Sequence, residues 1–171
     1  MRTPLKSFAV ITMAGLASVC LCQPAPKYSL SISLREITVK AGTPVVLDIT
    51  TKNISGQEIM AGTIVGSAES AFDITLTDSD GNPTLETRYG RKIHDKEPRG
   101  NLLDTHSEMV VHLKPGDTTQ ELIYLSGIYD LTHPGKYIVQ LSRTVYANDA
   151  AVNSGVKTII ESNSVTLTVT N

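Results

Sequence analysis

Apolar and polar residues alternate along most of the chain beyond residue 22, and this period of two limits the possible folds more than any other feature. Tyr28, Leu30, Ile32 and Leu34, for example, alternate with three serines. Successive side chains of a β-strand point to opposite faces, so each such run predicts a strand with one buried face. The clear runs cover residues 28–34, 45–50, 72–77, 109–113, 137–141 and 165–169, and weaker strands are predicted at 36–40, 57–64, 83–90, 118–126 and 156–161. We find no helical period and expect at most one helical turn, between Gly127 and Thr132.

Turn-forming residues separate these runs at short intervals. Examples are Asp80-Gly81-Asn82-Pro83 and Pro115-Gly116-Asp117, which combine residue types that favour chain reversal. Short strands with polar outer faces at this spacing predict an all-β fold, in which two antiparallel sheets pack face to face as a β-sandwich. A barrel is the alternative. In the sandwich, Leu47 and Leu76 are expected in the core.

The segment Pro134-Gly135-Lys136-Tyr137 favours the immunoglobulin-like form of this sandwich. In such domains a tyrosine just inside a late strand donates a hydrogen bond back to the preceding turn, an arrangement known as the tyrosine corner. The alternative is a tyrosine that is simply buried at the start of a strand.

The first 22 residues differ in kind from the rest. Arg2 and Lys6 precede an uncharged apolar stretch from Phe8 to Leu21, which is too short to cross about 30 Å of hydrocarbon comfortably. This pattern is typical of a secretory signal peptide. We therefore predict a signal peptide at 1–22, an immunoglobulin-like domain at 23–171, and export to the periplasm or the extracellular space, with no transmembrane span in the mature form.

Both cysteines of the chain lie within this predicted signal. The mature protein would therefore contain no disulfide, no thiol nucleophile and no thiolate metal site. Cys20 and Cys22 leave a lipid-anchored form open as an alternative. However, Val19 and Leu21 are bulkier than the small residue that precedes a lipidated cysteine.

The charge balance bears on the class of partner. Removing Arg2 and Lys6 from the 15 basic residues leaves 13 against 17 acidic residues, a formal charge of −4. A nucleic-acid surface would show a basic excess, so we expect no nucleic-acid partner. The chain also has no Trp and only two Phe, which weakens the case for an aromatic platform that stacks on sugars or bases.

Several segments, taken in order, resemble the bacterial intracellular proteinase inhibitor family. They are Lys52–Gly56, Phe72–Gly81, Val111–Asp117 and Pro134–Val139. The resemblance spans about residues 45–144 and implies an immunoglobulin-like sandwich and, for activity, proteinase inhibition. No inhibitory loop motif of the family maps residue by residue onto this chain. The chain departs from the family in its predicted export, in a longer insert at 61–71, and in the lack of Trp after the Asp80-Gly81 turn.

The segment from Arg88 to His106 is the richest polar stretch and is predicted to be a long loop. Long loops on rigid β-frameworks often carry function, and Arg and Tyr are frequent anchors of protein interfaces. The functional interpretation is a contact surface for an acidic partner, and the alternative is a solvated connection of mixed charge. The candidate binding residues are Arg88, Tyr89, Arg91, Lys92, His94, Lys96 and Arg99.

Metal and catalytic motifs are weak in this sequence. His106 and His112 would stand roughly 20 Å apart on one strand, too far to share an ion. Asp78, Asp80 and Asn82 resemble the start of a calcium loop, but position 89, where the final Glu ligand should lie, is Tyr. We therefore predict no metal, no cofactor and no catalytic residue. Asn53-Ile54-Ser55 is a glycosylation sequon whose position suits a turn equally well.

These observations predict an exported bacterial module that binds a protein or a cell-envelope component through its loops and does not catalyse a reaction. One alternative is a proteinase inhibitor. Another is an accessory β-domain of a secreted protease or envelope system, because residues 115–144 also resemble a β-domain that accompanies some deuterolysin-type metalloproteases. The sequence predicts no oligomeric state.

Overall fold

Ten strands make up most of the described chain and confirm the all-β prediction. The computed structural model describes residues 26–65, 68–94, 107–146 and 157–171, so the predicted signal at 1–22 lies outside the described residues. The strands are β1 (Tyr28–Leu34), β2 (Thr38–Lys40), β3 (Val46–Asn53), β4 (Ile59–Val65), β5 (Asp73–Asp78), β6 (Ser107–Leu113), β7 (Thr118–Tyr124), β8 (Gly135–Tyr146), β9 (Lys157–Glu161) and β10 (Val165–Thr170). Two short helices, α1 (Arg88–Ile93) and α2 (Leu125–Ile128), and a 3-10 turn at Ala68–Ala71 join them.

The strands form two larger sheets and one two-stranded ribbon. One sheet has the order β1-β3-β7, and the other has the order β2-β10-β8-β5, with β9 also paired to β8. Among the described residues, strands β4 and β6 pair only with each other. They follow β3 and precede β7 along the chain, so the ribbon begins where the β3–β7 ladder ends.

One strand pair departs from the predicted antiparallel arrangement, since β2 runs parallel to β10. The reason is a change of sheet within a few residues. The amide of Arg35 still donates to the β3 carbonyl of Val46, whereas the carbonyl of Ile37 already accepts from the β10 amide of Thr168. The chain therefore crosses from one sheet to the other without reversing its direction.

The buried side chains of both sheets belong to one hydrophobic cluster. Leu47 of β3 is 0% exposed and Leu76 of β5 is 2% exposed, so both predicted core residues are confirmed. The alternate residues of these strands are more exposed. The period of two therefore predicted the correct burial face.

The tyrosine-corner hydrogen bond is present at the start of β8. The Tyr137 hydroxyl donates to the backbone carbonyl of His133 at 2.8 Å, and the side chain is 7% exposed. This bond ties the turn before β8 to the strand itself.

The outer edge of β1 is closed by a side chain rather than by another strand. The amide of Ile32 donates to Asn163 Oδ1 at 2.9 Å, and Asn163 Nδ2 donates to the carbonyl of Ile32 at 3.0 Å. Asn163 lies in the turn between β9 and β10. It therefore fastens the β1 sheet to the β10 sheet and satisfies backbone groups that an open edge would expose.

Two local predictions need correction. Residues 83–90 do not form a strand, because only isolated bridges occur at Pro83 and Glu86, and α1 begins at Arg88. The Thr87 side chain accepts a hydrogen bond from the Gly90 amide at 3.0 Å, a helix N-cap that ends the extended conformation. The single helical turn predicted within 127–132 exists but begins two residues earlier, at Leu125.

Candidate functional site

Helix α1 lies closely against α2, and Gly90 makes this approach possible. A Cβ atom built on Gly90 would lie only 2.2 Å from the carbonyl oxygen of Ile128. The same oxygen accepts the Thr87 amide at 2.8 Å, and Thr87 Oγ1 donates to the Gly127 carbonyl at 2.6 Å. The first turn of α1 is therefore held in one position on the framework.

Side chains on the inner side of α1 fasten it further. Arg91 Nη1 donates to the Glu86 carbonyl at 2.8 Å, and His94 Nδ1 lies 2.8 Å from Glu86 Oε1. The side chains of His94 and Glu86 are only 19% and 11% exposed, so this contact is shielded from solvent. Burial, together with the nearby Glu86 carboxylate, raises the pKa of Tyr129 above its ordinary value of 10.0, and the neutral hydroxyl donates to the Ile74 carbonyl at 2.6 Å.

The predicted binding residues divide into two groups. Arg88 and Tyr89 are exposed, whereas Arg91, Lys92 and His94 are partly buried. All five lie on α1 or at its C-terminal cap, so the segment that was predicted to be a loop from Arg88 onward begins as a helix. Lys96 and Arg99 lie outside the described residues, and so does His106.

An open cleft of about 430 Å³ lies at the base of α1. One wall is the outer edge of β5, from Ile74 to Leu76, and the other is the chain from Pro83 to Glu86. Arg91 and Tyr129 complete the lining. Leu85, which is 73% exposed, lies at the surface where the cleft borders α1.

The cleft exists because β5 and the chain that follows the 78–82 turn pair over only a few residues and then separate. The amide of Asp78 donates to the Asn82 carbonyl, and the amide of Thr84 donates to the Leu76 carbonyl. A regular antiparallel pair would also carry the reciprocal bond from the Leu76 amide to the Thr84 carbonyl, and this bond is not formed. Beyond Thr84 the chain turns toward α2, where the Leu85 carbonyl accepts from the Asp130 amide at 2.8 Å.

The Leu76 amide in the lining therefore lacks the partner that a closed ladder would supply. The N–H and C=O of a strand residue point to the same edge, so the Leu76 amide faces the side from which Thr84 donates. The Thr84 hydroxyl oxygen is buried, and no described residue forms a hydrogen bond with it. Buried polar groups in proteins are nearly always satisfied.

The sequence prediction did not identify Thr84, Glu86 or Tyr129. Threonine is a frequent helix N-cap, so Thr87 could have indicated the start of α1. The cleft itself has no such signal, because it forms where the chain after Thr84 leaves β5 and bonds to Asp130, a residue far away in the sequence.

In the calcium-like motif, the carboxylate of Asp78 is already hydrogen-bonded to residues of its own turn. Asp78 Oδ1 accepts from the amides of Asp80 and Asn82, each at 2.9 Å, and the Asn82 side chain donates to the same carboxylate. The hydrogen bond from the Asn82 side chain, followed by those from the backbone amides, lowers the pKa of Asp78. Gly81 has a φ of 84°, which a β-turn of this kind requires. Within the described ranges, no group of three or more His, Cys, Asp or Glu residues could hold a metal ion.

Asn53 forms the corner between β3 and the ribbon. Its Nδ2 donates to the carbonyls of Gln57 and Leu113, both at 2.8 Å, and its Oδ1 accepts from the amide and hydroxyl of Ser55. The side chain is 1% exposed. The sequon therefore lies in a structural turn whose asparagine is buried.

Comparison with protein-family models and with curated proteins finds no match to this chain. Over the described ranges, neither helix has the length and apolar character that crossing a bilayer requires.

Proposed function

We propose that this protein is an exported, non-catalytic immunoglobulin-like module that binds a protein or cell-envelope component through the surface around α1. The strand order supports the immunoglobulin-like arrangement. β1, β3 and β7 correspond to strands A, B and E of that fold, and β5, β8 and β10 correspond to C, F and G. The shared core between the two sheets and the hydrogen bond of Tyr137 support the same assignment.

The observation that carries the binding proposal is the placement of α1. This helix holds Arg88 and Tyr89 at the surface, next to the exposed Leu85. Its base is fixed by the Thr87 cap and by the Gly90 contact. Tyr and Arg are the residue types that most often dominate binding energy, and a rigid support lowers the entropy lost on association. We define the α1 surface as Leu85, Arg88 and Tyr89.

The α1 surface suits a partner that offers acidic groups beside an apolar contact. An arginine can form paired hydrogen bonds with a carboxylate, and Leu85 and Tyr89 supply apolar area. Export is supported by residues 1–22, which carry the signal-like pattern. Together these features favour an acidic protein or envelope component outside the cytoplasm.

Affinity capture with a matched control tests this proposal. Residues 23–171 are immobilised and used to capture proteins from envelope and secreted fractions, and the bound proteins are identified by mass spectrometry. We expect the double variant Arg88→Ala/Tyr89→Ala to lose the specific partner. The control is Ile37→Ala/Lys40→Ala, which removes one large apolar side chain and one cation from β2 and the residue before it, at the opposite edge of the sheet from β5.

The comparison between the two variants decides the outcome. Circular dichroism and a thermal melt first establish that both variants fold. If the α1 variant and the control retain the same proteins in equal amounts, the α1 surface is not the binding site.

The proteinase-inhibitor alternative rests on the family resemblance. Segments 61–71 and 88–106 are the ones that could hold an inhibitory loop, and their described parts include strand β4 and helix α1. An inhibitor that imitates a substrate presents an exposed, extended segment to the protease, which a helix does not provide. A panel of secreted and endogenous proteases tests this alternative, and strong inhibition of one of them at micromolar concentration would favour it.

A further inference from the structure

The outer edge of β7 presents backbone groups that no described strand pairs with. Directly after this strand, the Leu125 amide donates to the carbonyl of Val45, the residue directly before β3. Hydrogen-bonded pairs alternate along an antiparallel ladder, so the odd-numbered residues of β7 bond to β3. The backbone groups of the even-numbered residues therefore point away from β3. We define the β7 edge as these residues, which are Thr118, Gln120, Leu122 and Tyr124.

Three other outer strands of the two larger sheets are protected against pairing. Asn163 bonds to both backbone groups of Ile32 at the edge of β1, and β2 has only three residues. At the edge of β5, the Thr84 amide and the Tyr129 hydroxyl donate to backbone carbonyls. Proteins shorten, cover or charge their outer strands because an open edge pairs readily with another chain. β7 has seven residues, and the β7 edge contains no charge and no proline, so its length and composition leave it open to pairing.

The β7 edge also presents apolar side chains. Leu122 is 44% exposed and Tyr124 is 52% exposed, although the 3-10 turn at Ala68–Ala71 contacts β7. Asp48 of β3 lies opposite Leu122 and forms an ion pair with Arg35 at 2.9 Å, so the charge beside Leu122 is balanced. The strand therefore combines unpaired backbone groups with an exposed apolar pair, which is the chemistry of a strand-to-strand interface.

We propose that a second copy of this chain pairs with the β7 edge. The two β7 strands run antiparallel about a two-fold axis that passes between the two Leu122 residues, and the two three-stranded sheets join into one continuous sheet. The proposal goes beyond the proposed function, because it concerns residues outside the α1 surface and holds whether or not that surface binds a partner.

The register follows from which backbone groups face outward. Two copies of β7 form a regular ladder here only when even-numbered residues face each other. With the axis at Leu122, the two Leu122 side chains are neighbours and Tyr124 lies opposite Gln120, so exposed apolar area of both copies is buried. Glu121 then faces Ile123 rather than the other Glu121. An axis at Glu121 would place the two carboxylates directly opposite each other, which is unfavourable.

Symmetry and charge favour a second copy as the occupant. The β7 edge is uncharged and meets an identical row across the axis, so no like charges oppose each other along it. The dimer uses the β7 edge of both copies, and the joined sheet then ends at β1, whose edge Asn163 closes. The contact therefore produces a closed dimer and not a fibre.

Molar mass as a function of concentration tests the dimer. Domain 23–171 is analysed by sedimentation equilibrium over a wide range of concentration. We expect the mass to rise from that of one domain to that of two and then to stay constant. Amide hydrogen exchange followed by NMR supplies a backbone readout, in which the amides of Gln120 and Leu122 should exchange at least tenfold more slowly in the dimer than in the dilute monomer.

A lysine at the axis tests the contact itself. Leu122→Lys places two like charges next to each other and should weaken dimerisation at least tenfold. The control Ile138→Lys introduces the same charge at a residue that is 41% exposed on β8, a strand with partners on both sides, and it should dimerise like the wild type. Circular dichroism and a thermal melt establish that both variants fold.

Cysteine cross-linking tests the register. Residues 23–171 contain no cysteine, so Leu122→Cys introduces a single thiol in each copy. A short bis-maleimide should link two copies of Leu122→Cys, because the two side chains adjoin at the axis. It should not link two copies of Gln120→Cys, because these positions lie four residues, or about 14 Å, apart along the paired strands.

Four results would overturn the proposal. The first is a domain that stays monomeric at every concentration, which would leave the β7 edge to a strand of a different protein. The second is equal dimerisation of Leu122→Lys and Ile138→Lys, and the third is a mass that continues to grow beyond two domains. The fourth is cross-linking of Gln120→Cys in preference to Leu122→Cys. The mass of the wild-type domain does not depend on how a variant folds.

Discussion

The Gly90→Ala substitution tests whether α1 is fixed to the framework as the structure describes. The new Cβ would lie 2.2 Å from the Ile128 carbonyl oxygen and 3.0 Å from its carbonyl carbon. Both atoms belong to the backbone, so a change of side-chain rotamer cannot relieve the contact. The helix must instead move away, and this movement breaks the bond from the Thr87 amide to the same oxygen.

The expected loss of stability follows from three contributions. Overpacking of this kind costs about 1–3 kcal/mol, and the lost hydrogen bond adds about 1 kcal/mol. The better helix propensity of alanine returns about 1 kcal/mol. We therefore expect a net decrease of about 2 kcal/mol in the free energy of unfolding, and a melting temperature lower by roughly 4–8 °C for a domain of this size.

A second glycine in the same region provides the control. A Cβ atom added to Gly127 in α2 would have no neighbouring atom within 4 Å, and its φ is not positive, so Gly127→Ala should keep the stability unchanged or raise it by up to about 1 kcal/mol. Urea unfolding followed by circular dichroism measures both variants. If Gly90→Ala is as stable as Gly127→Ala, α1 does not pack on α2 as described, and the α1 surface loses its rigid support.

Three further substitutions test other parts of the framework. Asn53→Ala should lower the free energy of unfolding by about 3 kcal/mol, because it leaves the Leu113 carbonyl without its donor in the corner beside the ribbon; chemical denaturation measures this change, and a loss below about 1 kcal/mol would contradict it. Tyr137→Phe removes the bond to His133 and should lower stability by about 1 kcal/mol in the same assay, whereas a neutral result would mean that the tyrosine corner contributes nothing. Stability should fall as pH rises above about 10, since Tyr129 keeps its proton in the folded state and releases it in the unfolded state; melts between about pH 8 and pH 11 should therefore show a shallower decline for Tyr129→Phe, and identical slopes would refute this origin.

The sequence predicted the parts of the fold that depend on neighbouring residues. Alternation located the strands and their buried faces, because side-chain direction changes with each residue and needs no knowledge of distant contacts. The Pro134-Gly135-Lys136-Tyr137 segment likewise predicted a bond that closes within a few residues, and the structure contains it. The segment at 83–90 failed because the Thr87 cap outweighed its weak strand pattern.

Features that depend on distant segments were not predictable. The parallel pairing of β2 results from a change of sheet between Arg35 and Ile37, and no residue there encodes the direction of β10. The sequence did indicate the region of the α1 surface, because this region is polar and rich in arginine. It gave no sign that Gly90 would allow α1 to pack closely against α2. The cleft forms because the chain after Thr84 leaves β5 and bonds to Asp130, and no residue near Thr84 indicates this distant contact.

The buried corner at Asn53 has a practical consequence for producing the protein. A eukaryotic secretory host can attach a bulky glycan to Asn53 Nδ2 while the chain is still unfolded, yet the folded corner requires both hydrogens of that nitrogen and encloses the side chain. A glycosylated chain could not close this corner, so secretion from such a host should yield modified, misfolded material beside unmodified, folded protein. A bacterial host, or one that lacks this modification, avoids the conflict.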